Sequence, residues 1–342
     1  MKSFFEYTLE ELEKELTTLG YSKYSASQIY DWVYRKKVFD FNLMSNIKKE
    51  LREYLASNYS LKLLEVEKRE KSADSTLKLL LKCEDGAMVE CVLMHHDYGT
   101  SLCVTSQVGC AMGCAFCASG LLKKERNLNA SEIVGQLLKV EEESNEKVSH
   151  VVIMGTGEPL DNMEEVLKFI KIINAPKGLE IGIRHITMST CGLVPKIYEL
   201  ADMNLGINLA ISLHAPTDDL RSKLMPINKV YNLSQLIEAV KYYFEKTGRR
   251  ITFEYLLLKG VNDSLLMADK LADLIRGLNS YVNLIPYNAV DEFMFKTATE
   301  ESVSAFYNQL KKRGINVTKR RRMGDDIDAA CGQLRSKSMK NK

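Results

Sequence analysis

The chain has 342 residues, 45% of them hydrophobic and 27% charged, a composition that excludes a disordered protein and allows one large domain with a small accessory domain. Apolar runs fall short of the about 18 residues of a membrane span, and the charged N-terminus excludes a secretory signal. We therefore expect a cytoplasmic protein with no membrane association. The net charge of +2 hides a basic end, because residues 311–342 hold eleven Lys and Arg against three acidic residues. Such an end suits either a polyanionic partner or a solvated tail.

Residues 1–95 are predicted to form a small α+β accessory domain. Apolar residues at helical spacing in TLEELEKELTTLG, SASQIYDWVYRK and LMSNIKKELREYLA indicate three helices. The next segments, LKLLEVEKR, TLKLLLKC and AMVECVLMHH, are short and separated by the turn signals SADS and EDG. They indicate strands, so helices precede strands in this part of the chain.

From residue 96 to residue 326 the pattern changes to an alternation of strands and helices. Six strands are predicted, each followed by a helical stretch: 101–107, 150–154, 184–189, 208–213, 251–257 and 282–286. This alternation is typical of an α/β fold with a parallel sheet and right-handed crossovers. A partial (β/α) barrel and an open doubly wound sheet both satisfy it. Residues 327–342 form a C-terminal segment.

Short motifs follow five of these strands. They are CAMGCAFC, GTGEP, STCG, SLHAP and PYN. The C-terminal ends of parallel strands meet on one face of an α/β barrel, where active sites lie. The five motifs therefore predict one pocket and favour a catalytic domain over a binding module.

The first motif contains the spacing Cys110-x3-Cys114-x2-Cys117. Thiolates bind iron–sulfur clusters and zinc, but structural zinc normally takes four protein ligands, and no second cysteine pair is present. Three cysteines leave one iron of a cubane cluster open. The spacing, with Phe116 before the last cysteine, resembles the signature of the radical S-adenosylmethionine (SAM) superfamily. The resemblance implies a [4Fe-4S] cluster whose open iron binds SAM, and zinc or an inert thiol cluster is the alternative.

The other strand-end motifs supply candidate SAM contacts. Two glycines in GTGEP allow a ligand to approach the backbone, and its carboxylate can accept from the SAM ammonium group. An ordinary strand–helix turn and a packed histidine are the alternative interpretations of GTGEP and SLHAP. The predicted cofactor-binding residues are Gly157, Glu158, Ser189, Ser212, Leu213, His214 and Asn288.

Two further motifs indicate the substrate class. Residues 324–334 have the sequence GDDIDAACGQL, and residues 221–228 have the sequence RSKLMPIN. Together with the cysteine triad and GTGEP, these motifs resemble the RlmN/Cfr family of radical SAM RNA adenine methyltransferases over nearly the whole chain. The resemblance implies an α/β fold with a partial (β/α) barrel of six strands and a small N-terminal α+β domain. The resemblance thus selects the partial barrel over the open doubly wound sheet.

The resemblance also implies roles for three residues outside the triad. One SAM methylates Cys331, and a second SAM, cleaved at the cluster, activates that methyl group for addition to adenine, which ties the RNA to Cys331. Cys103 matches the cysteine that releases the product by forming a disulfide with Cys331, and Glu90 matches the general base. By their surroundings alone, Cys103 would be a buried core residue and Glu90 a surface residue. The remaining cysteines are assigned to packing: Cys83, Cys91 and Cys191.

Two activities occur within the family. The RlmN type methylates C2 of one adenosine in 23S rRNA and often C2 of the adenosine 3′ of the tRNA anticodon. The Cfr type methylates C8 of the same rRNA adenosine and confers antibiotic resistance. Residues 158–159, 214–216 and 324–326 resemble the RlmN form. The implied partners are 23S rRNA, tRNA and an electron donor such as flavodoxin or ferredoxin, and we expect a monomer whose residues 319–322 contact phosphates.

Two other classes of protein remain as alternatives. A methylthiotransferase would need a second cluster, but the remaining cysteines show no close spacing. A non-catalytic RNA-binding protein with a structural metal would share the basic end and the cysteine triad. Absorbance in the visible iron–sulfur band separates it from a radical SAM enzyme.

Overall fold

The computed structural model describes residues 1–289 and 292–327, so Cys331 lies outside the described residues. This part of the chain contains ten α-helices, and none of them is long and apolar enough to cross a membrane. Side-chain caps begin several of them, such as the reciprocal capping box of Thr8 and Glu11 at the first helix. The helices are α1 (Leu9–Thr18), α2 (Lys23–Tyr30), α3 (Lys49–Asn58), α4 (Ala130–Ser144), α5 (Met163–Asn174), α6 (Val194–Met203), α7 (Asp218–Leu224), α8 (Leu233–Thr247), α9 (Leu265–Leu274) and α10 (Glu300–Lys312).

The same residues contain fourteen strands, ten of which form one sheet. The four two-residue strands outside it are β1 (Lys2–Ser3), β2 (Tyr59–Ser60), β7 (Gln107–Val108) and β8 (Arg126–Asn127). The strands of the sheet are β3 (Glu65–Lys71), β4 (Leu77–Lys82), β5 (Met88–His96), β6 (Gly99–Val104), β9 (His150–Ile153), β10 (Ile186–Thr190), β11 (Asn208–Ser212), β12 (Ile251–Leu257), β13 (Ser280–Pro286) and β14 (Val317–Lys319).

The order of the strands in the sheet follows the chain, β3-β4-β5-β6-β9-β10-β11-β12-β13-β14. The strands from β6 onward pair parallel, and the strands from β3 to β6 pair antiparallel. A doubly wound sheet reverses its strand order at a switch point, and this sheet has no reversal among the described strands. Its right-handed crossovers therefore place the helices on one face. The predicted α/β partial barrel is confirmed, and the open doubly wound alternative is excluded.

Three elements differ from the sequence-based expectation. Arg184 and His185 belong to a 3-10 turn over Ile183–His185, and β10 begins only at Ile186. The helix α7 has seven residues and the strand β14 has three. Neither was predicted, because elements of this length are too short to show a clear periodicity.

The predicted domain boundary at residue 95 falls near the turn between β5 and β6. These two strands pair antiparallel, with Val92 opposite Cys103, so the strands of the N-terminal segment continue the barrel sheet. The helices α1–α3, unlike these strands, are not part of the sheet. They surround an aromatic cluster in which the rings of Phe4 and Tyr30 meet edge to face. The division at residue 95 stays a prediction.

The two faces of the sheet differ in chemistry because side chains alternate along each strand. Apolar side chains on the outer face pack under the helices in one continuous core. The inner face carries polar side chains: Ser189 of β10, Ser212 of β11, Glu254 of β12 and Asn283 of β13. In the part of the chain that the structure describes, helices cover only the outer face, so the inner face is left to line cavities.

Candidate active site

The cysteine loop between β7 and β8 is held by backbone contacts. Cys110 N–H donates to the Leu122 carbonyl oxygen (3.1 Å), and Ala115 N–H donates to the carbonyl oxygen of Leu224 (2.9 Å), the last residue of α7. Gly109 has a φ of +76°, and a Cβ atom there would lie 2.1 Å from a backbone oxygen, so this position needs glycine. The path of the loop is therefore determined by the backbone around it.

The three cysteines line a cavity of about 170 Å³ at the C-terminal ends of the parallel strands. Structural zinc normally takes four protein ligands, whereas a triad of thiolates beside a cavity suits a multi-iron cluster with one open iron. Burial raises the pKa of Cys110 to about 11 and also raises that of Cys114. A bound cation is thus needed to keep them as thiolates.

The GTGEP loop lies beside the cysteines at the end of β9. Gly155 N–H donates to the Val104 carbonyl oxygen (3.0 Å), and a Cβ atom on Gly155 would lie 2.7 Å from that oxygen. Gly157 has a φ of +110°, a conformation that side chains rarely adopt. Both glycines are therefore required by the close approach of this loop to the end of β6 and to Gln107 of β7.

Glu158 in this loop is a buried carboxylate. Its Oε1 accepts from the N–H of Leu160 (3.1 Å), and its Oε2 accepts from the N–H of Cys191 (2.8 Å). Burial raises the pKa of Glu158, although these N–H donors oppose the shift. Glu158 thus ties the end of β9 to the end of β10. The sequence predicted a contact with the SAM ammonium group, and that contact stays a prediction.

His214 follows β11 and borders the same cavity. Its Nδ1 accepts from the N–H of Leu256 (3.0 Å), and its ring meets Phe116 edge to face, with ring centroids 4.9 Å apart. Burial, with the positive charge of Arg221, lowers the pKa of His214 to about 3. The imidazole is therefore neutral at physiological pH and carries its proton on Nε2.

The remaining predicted SAM contacts lie in three different places. Ser189 and Ser212 end neighbouring strands at the cysteine cavity, with their Oγ atoms 3.3 Å apart. The Leu213 side chain is fully buried in the main core. Asn288 borders a second, larger cavity. Five of the seven predicted cofactor-binding residues therefore line the cysteine cavity.

Arg221 of α7 is a fully buried residue that sequence reasoning treated only as part of a family motif. Its Nη2 donates to the carbonyl oxygens of Cys191 (2.6 Å) and Ser212 (3.2 Å). Its Nε donates to the Leu213 carbonyl oxygen (3.2 Å), and its Nη1 donates to Asn228 Oδ1 (3.0 Å). These bonds join α7 to the ends of β10 and β11 and leave a positive charge beside the cysteines.

Glu90 and Cys103 lie on the inner face of the sheet. Val92 of β5 pairs with Cys103 of β6, and Lys78 of β4 pairs with Val92. Because side chains alternate, Lys78, Glu90 and Cys103 all face the same side. Lys78 Nζ lies 3.6 Å from Glu90 Oε1, and Glu90 and Cys103 are each only 5% exposed. The interpretation of Glu90 as a surface residue is wrong, and Lys78 was missed because a lysine in a strand resembles a surface residue in the sequence.

The larger cavity, of about 820 Å³, is bordered by residues at the N-terminal ends of β10 to β13. Among the described residues that line it, Glu254 is the single carboxylate. Glu254 also lines the cysteine cavity, so the two cavities adjoin inside the barrel. Burial and the charges of two arginines lower the pKa of His96 at its rim. Five arginines line this cavity: Arg249, Arg250, Arg320, Arg321 and Arg322.

Cys83 and Cys91 are buried in the main core, as expected for packing residues. The ligand atoms of Cys83, Asp85 and Glu132 lie within 4.8 Å of one another, a spacing that could suit a metal ion. Arg126 donates to both carboxylates, however, at 2.7 Å in each case. A guanidinium group therefore neutralises this grouping.

Comparisons with known proteins agree with this geometry. Residues 104–275 match the Radical SAM superfamily, and residues 3–61 match the ribosomal RNA large subunit methyltransferase N-terminal domain. A protein named probable dual-specificity RNA methyltransferase RlmN, from Geobacillus kaustophilus, is 53% identical over 99% of this chain and 94% of its own length. The protein of the same name from Bacillus subtilis is 53% identical over 98% of this chain and 93% of its own.

A solved structure supports the same assignment. The crystal structure of a radical SAM methyltransferase from Sphaerobacter thermophilus has a TM-score of 0.92 and 42% identity. The match covers 98% of this chain and 100% of that chain. Membership of this superfamily implies a [4Fe-4S] cluster and SAM as cofactors. The chain belongs to the RlmN family of radical SAM RNA methyltransferases.

Proposed function

We propose that the chain methylates C2 of one adenosine in 23S rRNA and of the adenosine 3′ of the anticodon in tRNAs. The reaction proceeds through a methylated Cys331 and a covalent RNA adduct. One observation carries the proposal: Glu90 and Cys103 share an inner face beside an arginine-lined cavity that adjoins the cysteine cavity. The relatives' name, dual-specificity RNA methyltransferase, supports two RNA substrates. Both RNAs would be met in the cytoplasm.

The cysteine triad would hold one [4Fe-4S] cluster per chain. Bound beside it, SAM would supply the methyl group and, with an electron from flavodoxin or ferredoxin, the one-electron chemistry that activates it, two SAM being used per methylation. Ser189 and Ser212 offer hydroxyl groups to this cofactor. Neutral His214 offers its Nε2–H as a donor and is not a base at physiological pH. Phe116 and Leu256 keep water from the cavity.

Three side chains carry out the methyl transfer. Cys331 carries the methyl carbon to the ring and remains bonded to it. The Glu90 carboxylate accepts the C2 proton, and the unpaired electron that the one-electron activation leaves on the adduct would return to the cluster or its electron donor, which restores the closed-shell ring. The Cys103 thiolate then forms an S–S bond with Cys331, and the bond between the Cys331 sulfur and the methylene carbon breaks. The electron pair stays on that carbon, which takes a proton and becomes the methyl group of the product. A dithiol reductant returns the disulfide to two thiols.

The arginine-lined cavity is the entrance that we propose for RNA. Its arginines can pair with phosphates in two-pronged hydrogen bonds, and Arg250 stacks on Tyr281 with its guanidinium 4.5 Å from the ring centroid. Tyr98 at its rim is 65% exposed and offers a face for base stacking. A flipped adenine entering here would meet Cys103 before it reached the cofactor cavity.

The test uses a Cys103→Ala variant. Purified anaerobically and given SAM, reductant and a 23S rRNA fragment, it should stall as a protein–RNA conjugate, because the thiol that releases the adduct is missing. The conjugate is measured as a nuclease-sensitive mass shift on a denaturing gel. Cys331→Ala should form none. The matched control is Cys91→Ala, since Cys91 is a buried cysteine on the opposite face of β5 and should turn over normally.

The product base decides the regiochemistry. Nucleosides from rRNA treated with the wild-type enzyme are compared by mass spectrometry with synthetic 2-methyladenosine and 8-methyladenosine. Only the first should appear. The second would indicate the Cfr-type reaction, and normal turnover by Cys103→Ala would rule out the proposed release step.

A further inference from the structure

Gly324 and Asp326, near the last described residue, are bound to the turn between β3 and β4, two strands of the N-terminal segment. Ser72 Oγ donates to Asp326 Oδ1, and Ala73 N–H donates to Oδ2 of the same carboxylate (3.1 Å). Gly324 N–H donates to Asp74 Oδ2 (3.0 Å). Two short segments from opposite ends of the sequence thus exchange three hydrogen bonds.

This turn is braced internally, so it presents its two donors and one acceptor in a fixed place. Ser72 N–H donates to the Thr76 carbonyl oxygen (2.9 Å), and Thr76 N–H donates to Asp74 Oδ1 (3.0 Å). Ser75 has a φ of +71°, a conformation that the surrounding bonds maintain. Burial alone would raise the pKa of Asp74, but the N–H donors of Thr76 and Gly324 lower it to about 2. The carboxylate is therefore charged at neutral pH.

Lys78 extends the contact toward the active site. Its Nζ donates to the Ile327 carbonyl oxygen (3.1 Å) and lies 3.3 Å from Glu70 Oε2 and 3.6 Å from Glu90 Oε1. Its side chain is only 8% exposed, and lysine is rarely buried unless it is paired. One ammonium group thus contacts both the C-terminal segment and the carboxylate proposed as the general base.

Apolar packing joins the same segment to Cys103. Met323 and Ile327 pack on a small cluster that contains Val92 and Cys103 and is separate from the main core. Four residues of sequence lead from Ile327 to Cys331, and a chain spans at most about 3.6 Å per residue. Contacts that hold Ile327 beside Cys103 therefore set an upper limit on the distance between Cys331 and Cys103.

We propose that the turn and Lys78 form a clasp that positions Cys331 for exchange with Cys103. The clasp is defined by Ser72, Asp74 and Lys78, and it holds residues 324–327 on the inner face of the sheet. Its members are positioning residues, because they act through the segment that they hold. The inference rests on the proposed function for the roles of Cys331 and Cys103, and the step that it serves is the disulfide exchange described above.

The experiment measures how readily the two thiols pair in the absence of RNA. Full-length, cluster-loaded enzyme is equilibrated anaerobically with reduced and oxidised glutathione, alkylated, and analysed by peptide mass spectrometry for the Cys103–Cys331 disulfide. The equilibrium constant gives the effective concentration of one thiol at the other. Asp326→Ala removes two hydrogen bonds and should lower this constant by about tenfold. Ser72→Ala removes one hydrogen bond to the segment, together with the bond from Asp74 N–H to Ser72 Oγ (3.3 Å) inside the turn, and should lower the constant less.

The matched control is Asp85→Ala, at the opposite end of β4. Asp85 also braces a turn, accepting from Ala87 N–H (3.0 Å) and from Arg126, and this turn is the one that leads into β5. The control should leave the disulfide constant unchanged. Hydrogen exchange supplies a second measurement, in which Asp326→Ala should speed exchange of residues 320–327 and leave β10–β13 protected.

The outcomes separate the clasp from the proposed function. A wild-type enzyme that forms the disulfide, with Asp326→Ala equal to it, overturns the clasp and leaves the proposed function standing. An equal loss in Asp85→Ala would mean general weakening of the hairpin, which also contradicts the clasp. Absence of the disulfide in the wild type, together with no RNA conjugate from Cys103→Ala, would refute the proposed function and the clasp with it.

Discussion

The two cavities inside the barrel are built in different ways. Several buried polar groups at the cysteine cavity are bound to backbone: Glu158 accepts from two N–H groups and His214 accepts from one. Behind the cavity wall, Arg221 donates to three carbonyl oxygens. The arginine-lined cavity is larger, about 820 Å³ against about 170 Å³, and its polar border is a set of long cationic side chains. The two share Glu254, whose pKa burial raises.

This difference predicts two kinds of response to mutation. Buried groups with fixed partners act through geometry, so removing one should cause a large loss of stability or cofactor binding that salt does not alter. Exposed arginines act through their charge, so replacing them should cause moderate losses of RNA affinity that are nearly additive and sensitive to salt.

Cys114→Ala should abolish iron binding and activity. Anaerobically reconstituted wild-type protein should hold about four irons per chain, and the variant should hold almost none, because a cubane loses its third protein ligand. Iron analysis and visible absorbance measure the outcome. The control is Cys191→Ala, which removes a thiol that borders the same cavity but lies outside the triad and should retain its iron. Full iron in Cys114→Ala would refute the ligand assignment.

Arg221→Met should lower the free energy of unfolding by about 3 kcal/mol, because it leaves several buried carbonyl oxygens without donors. Urea denaturation measures this effect. The matched variant Arg250→Met, in the arginine-lined cavity, should change stability by less than about 0.5 kcal/mol. Equal effects of the two variants would remove the contrast between the cavities.

Arg250→Ala combined with Arg321→Ala should weaken RNA binding by about tenfold and leave iron content unchanged. The slope of log affinity against log salt should fall by about 0.7–0.9 for each phosphate that the variant no longer neutralises. Filter binding at several salt concentrations measures both quantities. Lys319→Ala is the comparison variant: the sequence grouped Lys319 with these arginines, but Lys319 is paired with Glu300 and does not line the cavity, so its replacement should matter less. An unchanged slope in the double variant would place the RNA elsewhere.

His214 should make stability depend mildly on pH. Its pKa of about 3 in the folded protein lies below its ordinary value of 6.5, so the unfolded chain binds more protons between these values. Stability is then lost as pH falls below 6.5, by at most about 1.4 kcal/mol per pH unit. His214→Gln should lack this component, and urea midpoints at pH 7 and pH 5.5 reveal it. Identical pH dependence in both proteins would argue that folding leaves the pKa of His214 unchanged.

Much of the candidate site could be predicted because its parts are local in sequence. The triad lies within eight residues, and GTGEP and SLHAP each follow a strand directly. In a parallel sheet of sequential strands these strand ends necessarily converge, so the alternation of strands and helices was enough to bring them together. The order of the strands, and with it the choice of barrel over open sheet, needed either the family resemblance or the structure.

Other residues could not be predicted, because a charge in a sequence does not state its burial. Lys78, Arg221 and Glu254 resemble ordinary surface residues, yet each is less than 9% exposed. Their partners come from distant segments: Lys78 meets Ile327, and Arg221 meets Cys191. A long-range hydrogen bond leaves no periodic trace in the chain, so no pattern could have indicated it.

The fold class, the iron–sulfur ligand spacing and the family follow from the amino-acid sequence, because apolar periodicity and short motifs are local properties of the chain. The tertiary structure was needed to establish that the N-terminal strands continue the barrel sheet and that Glu90 and Cys103 share its inner face. It also decided that Asp326 is bound by the turn at Ser72. These features depend on strand register and on contacts between distant segments, which form only when the whole chain buries its core.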